Sequence, residues 1–111
     1  MSDLRSLADA RSVLDECAAV VGRLHKMCCE PDRSPRMRAI EDSLMAARRE
    51  IASGDPELLD RALGRLEGVG ASLGSLQVGC CAPVRMPLYA EALEHLNRIQ
   101  LAVSAGLGRS H

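Results

Sequence analysis

The chain has no tryptophan and no phenylalanine, and Tyr89 is the single aromatic residue among 111. Without aromatic rings there are no platforms on which bases could stack, and leucine, valine, isoleucine, methionine and alanine must fill the interior. Neither sign of charge is in excess. A net charge of -1 gives no electrostatic ground for binding nucleic acid or an anionic membrane surface. Nowhere do about 18 uncharged apolar residues run together, as a membrane-spanning helix requires. The N-terminal stretch MSDLRSLADARS carries charge throughout, where a secretory leader would carry an apolar segment. These absences predict a cytoplasmic protein with no nucleic-acid partner and no membrane partner. Phosphate loops, dinucleotide fingerprints, G-x-S-x-G and HExxH are missing as well. Whether the chain is an enzyme therefore stays open, and no substrate is named.

At 111 residues the chain suits one domain and is too short for two independent cores. It does have cysteine, five residues in all. In a reducing compartment these read first as thiols, metal ligands or catalytic groups and only second as disulfides. Four of them stand in a segment written twice, CCEPDRSP at Cys28 to Pro35 and CCAPVRMP at Cys80 to Pro87, 52 positions apart. The flanks repeat too. Residues 7–54 align without a gap on 59–106 with 13 identities in 48 positions, against roughly 4 expected from composition.

Each half carries two apolar stripes at helical spacing. Leu7, Ala10, Leu14, Cys17, Val21, Leu24 and Cys28 step by three and four, as do Leu59, Ala62, Leu66, Val69, Leu73, Leu76 and Cys80. After each motif come Met37, Ile40, Leu44, Ala47 and Ile51, then Tyr89, Ala92, Leu96, Ile99 and Val103. Ser34-Pro35 supplies a cap and a first-turn proline, Gly54 suits a helix end, and Asp55-Pro56-Glu57 opens the next helix. Helices are predicted at about 3–28, 35–53, 56–80 and 87–106. Short connections make neighbours antiparallel. The expected fold is all-α: one four-helix domain over 1–111, an antiparallel bundle built from two duplicated helical hairpins (7–54 and 59–106) with an internal pseudo-twofold.

In that fold both motifs lie at one end of the bundle and can bring Cys28, Cys29, Cys80 and Cys81 together, flanked by Arg33 and Arg85. Four thiolates with compensating positive charge are what a soft-metal or iron–sulfur site requires. Adjacent cysteines bridge different metal atoms more readily than they chelate one, which favours an iron–sulfur cluster or a Cu(I)–thiolate group over a single zinc. Arg33 and Arg85 are the cofactor-binding candidates. The expected function is electron transfer, sensing or metal handling. One alternative has the same cysteine pairs cycling between thiol and disulfide, with the arginines lowering thiol pKa values. Another is an adaptor or assembly protein with structural cysteines, for which a Cys28–Cys80 disulfide is the simplest form.

Other cysteine, methionine, histidine and glycine residues fit the site less well. Cys17 is matched by Val69 and reads as a packed hydrophobe. Met27, Met37 and Met86 lie near the rim, but Gly79 and Tyr89 stand opposite the first two, against a symmetric role. His25, matched by Gln77, reads as a partly exposed helical histidine, though it could complete a site from one side. His95, with Glu91 and Glu94, does not form the Glu-x-x-His pairs of a di-iron bundle. Gly64, Gly68, Gly70, Gly74 and Gly79 weaken the third helix by about 1 kcal/mol each. Close helix approach, a cofactor bound at its end and a homodimer or protein-partner face are the three explanations.

Overall fold

A computed structural model describes residues 7–27, 34–78 and 85–108. They form four helices: α1 (Leu7–Lys26), α2 (Ser34–Ser53), α3 (Pro56–Val78) and α4 (Met86–Gly106). No strand occurs among the described residues, and none of the helices is long and apolar enough to cross a membrane.

Contacts between helices fix their directions. His25 near the end of α1 meets Glu41 of α2, and Asp15 meets Arg48 further along. Arg65 of α3 reaches Glu50 of α2, while Ser75 receives Arg36 from the start of α2. Arg23 of α1 faces Glu91 of α4, and Leu7 lies against Gly106 at the opposite end. Gln77 of α3 meets Met86 of α4. Each helix thus runs antiparallel to both of its neighbours, as short connections require.

The core is aliphatic. Every described member of the four predicted stripes is buried except Leu7, which packs against the core from its edge. Burial recurs 52 residues on at Ala10/Ala62, Leu14/Leu66, Cys17/Val69, Val21/Leu73 and Leu24/Leu76, and again from Met37/Tyr89 to Ile51/Val103. Val13, Val20 and Ala102 are buried beyond the predicted stripes.

The α2–α3 corner follows its local chemistry. Gly54 takes φ +71, a left-handed conformation that a Cβ resists. The Asp55 carboxylate accepts the Glu57 N–H at 2.8 Å, satisfying one of the donors that a helix start leaves open. Pro56 opens α3. At the other end α1 reaches Lys26, and position 28 lies outside the described residues. The Met27 N–H bonds to both Arg23 O (3.1 Å) and Leu24 O (3.2 Å), the tightening that closes a last turn.

The glycines of α3 do not mark close helix approach. A Cβ built at Gly64, Gly68 or Gly74 meets nothing within 4 Å, and one at Gly70 meets only Leu96 Cδ1 at 4.0 Å. Close approach therefore does not explain Gly64, Gly68 or Gly74, beside which the space is open; Gly79 lies outside the described residues. Nearby, Val78 is 88% exposed.

A prediction follows from this contrast. Gly64→Ala and Gly68→Ala should each raise stability by about 0.4–1 kcal/mol, since the fold accepts the methyl and the unfolded chain loses freedom. Gly54→Ala should lower it by about 1–2 kcal/mol through its left-handed backbone. Urea unfolding followed by circular dichroism measures all three.

Candidate functional site

Cys28, Cys29 and Arg33 in the first motif, and Cys80 and Cys81 in the second, lie outside the described residues. The helix ends that carry them are described. α1 and α3 finish, and α2 and α4 begin, at the same end of the bundle, as Arg36–Ser75 (3.1 Å), Arg23–Glu91 (3.8 Å) and Gln77–Met86 (4.0 Å) require. Neither α2 nor α4 has an acidic residue in its first turn, so the positive potential of the two helix starts is opposed there chiefly by the C-terminal ends of α1 and α3.

Arg85 holds the N-cap position of α4 with helical backbone angles, φ -87 and ψ -16, and makes no side-chain cap bond. It is only 8% exposed. A guanidinium keeps its charge when buried. Met37 and Tyr89, the matched pair one turn into α2 and α4, are both core residues.

Cys17 is fully buried, and its S–H donates to Ala92 O at 3.7 Å. Burial pushes its thiol from 9.0 up to about 12, because a thiolate loses its hydration there. It behaves as the packed hydrophobe that its match to Val69 implied.

Two histidines sit beside carboxylates. His25 Nδ1 lies 2.7 Å from Glu41 Oε1, partly buried between α1 and α2. The periodicity of the sequence did not reveal this pair, because a cross-helix contact depends on how neighbouring helices are rotated. A groove of about 320 Å³ opens there, lined by Gly22, His25, Lys26 and Glu41. His95, with its side chain 14% exposed, places Nε2 3.5 Å from Glu91 Oε2 on its own helix. Its Nδ1 is buried and has no hydrogen-bond partner among the described residues. Glu16, Ala19, Val20 and Arg23 complete a second groove of about 350 Å³ beside it.

Among the described residues no group of three or more His, Cys, Asp or Glu side chains is placed to hold a metal ion. Compared with family models, curated proteins and solved structures, the chain matches none of them.

Cys17 generates a pH prediction. Between about pH 9 and 12 the unfolded chain has lost its thiol proton and the folded chain has kept it, so the folded state binds more protons and stability falls as pH rises. Cys17→Val removes this contribution. Its stability relative to wild type should therefore increase from pH 8 to pH 11 in urea titrations. A difference that stays constant with pH would contradict the buried thiol.

Proposed function

We propose that the chain holds one transition-metal centre, an iron–sulfur cluster or a Cu(I)–thiolate group, on Cys28, Cys29, Cys80 and Cys81. Its service would be electron transfer, sensing or metal handling. The observation that carries this reading is the meeting of four helix ends, each adjoining one arm of a cysteine motif, at one end of the bundle. The 52-residue recurrence of buried positions supports two duplicated hairpins about a pseudo-twofold, on which one shared centre would lie. The two helix starts without acidic residues favour an anionic thiolate cluster, partly opposed by the C-terminal ends of α1 and α3, and Arg85 is the buried arginine of the second motif. Arg33 is the corresponding residue of the first motif. We place the protein in the cytoplasm as a single domain.

The same positive surroundings favour a second reading, in which the cysteine pairs relay electrons by thiol–disulfide exchange. Mass-spectrometric mapping in graded redox buffers then finds a reversible two-electron step. A third reading, an adaptor, draws on the exposed Val78, the open space beside the α3 glycines and a run from Gly68 to Ala90 in which Arg85 is the only charged residue.

Metal and sulfide content per folded chain, after anaerobic purification or loading, tests the leading proposal. Cys28→Ser and Cys80→Ser should each lose the whole centre, because an incomplete ligand set cannot hold it. Cys17→Ser should keep full metal while losing about 1–3 kcal/mol of stability to a buried hydroxyl. Full stoichiometry in both rim variants, or metal-free wild-type protein after loading, would contradict the proposal.

A further inference from the structure

We draw no further inference here: the strongest candidate, the exposed face of α3 on which Gly64, Gly68, Ala71, Ser75 and Val78 follow one another at helical spacing, is a stripe of small residues, and nothing in the structure shows what covers it.

Discussion

Each helix gives one face, every third or fourth residue, to a shared aliphatic core, and with no phenylalanine or tryptophan to fill gaps that core closes only if four stripes stay in step. Leu14, Leu24, Leu44, Leu66, Leu73 and Leu76 are all fully buried, with Tyr89 the one large ring among them. Aliphatic side chains interdigitate at close spacing, and even a methylene out of place leaves a void whose lining loses its contacts. The rotational phase of every helix is therefore set from inside. Antiparallel order follows from the same core once α2 and α3 are joined by the short Gly54–Asp55 corner.

That phase decides where polar groups meet. Arg48 donates to Asp15 between α2 and α1 at 2.7 Å, and the hydrogen bond and negative charge of Asp15 raise the Arg48 pKa. Both partners are well exposed, so the pair contributes little to stability. Glu50 is more demanding: it is largely buried and accepts from Arg65 Nε at 2.8 Å. Loss of Arg65 would leave a carboxylate short of solvent and short of its partner, the costly way to break such a pair. His25–Glu41 belongs to this class of cross-helix contact but lies nearest to a cysteine motif.

The elements and the core were legible in the sequence because aliphatic periodicity is long-range within each helix and cap chemistry is local. Asp55-Pro56-Glu57 placed the start of α3 correctly, and the three-and-four spacing of Met37, Ile40, Leu44, Ala47 and Ile51 picked out buried residues without exception. The sequence carries the apolar stripe of α1 on to Cys28, which lies outside the described residues, and the last described residue of that segment, Met27, forms a turn. Glycine in a sequence signals only a missing side chain, which suits close packing or open space alike, and beside Gly64, Gly68 and Gly74 the space is open. Partnerships such as Glu50–Arg65 and His25–Glu41 leave no periodic trace. The candidate site was legible only as a duplicated motif, and the described structure adds its frame: four helix ends at one end of the bundle, with Arg85 buried at the start of α4.

The central claim is that this frame brings thiols of the two motifs within reach of one another. A chain retaining only Cys28 and Cys80, with Cys17→Ala, Cys29→Ser and Cys81→Ser, tests it without any metal. A disulfide requires Cα atoms within about 4.4–6.8 Å, so mild oxidation followed by mass spectrometry measures convergence directly. The account predicts an intramolecular Cys28–Cys80 bond that forms in the folded chain and is suppressed in urea. Thiols that stay single in the folded chain, or pair only between molecules, would contradict it.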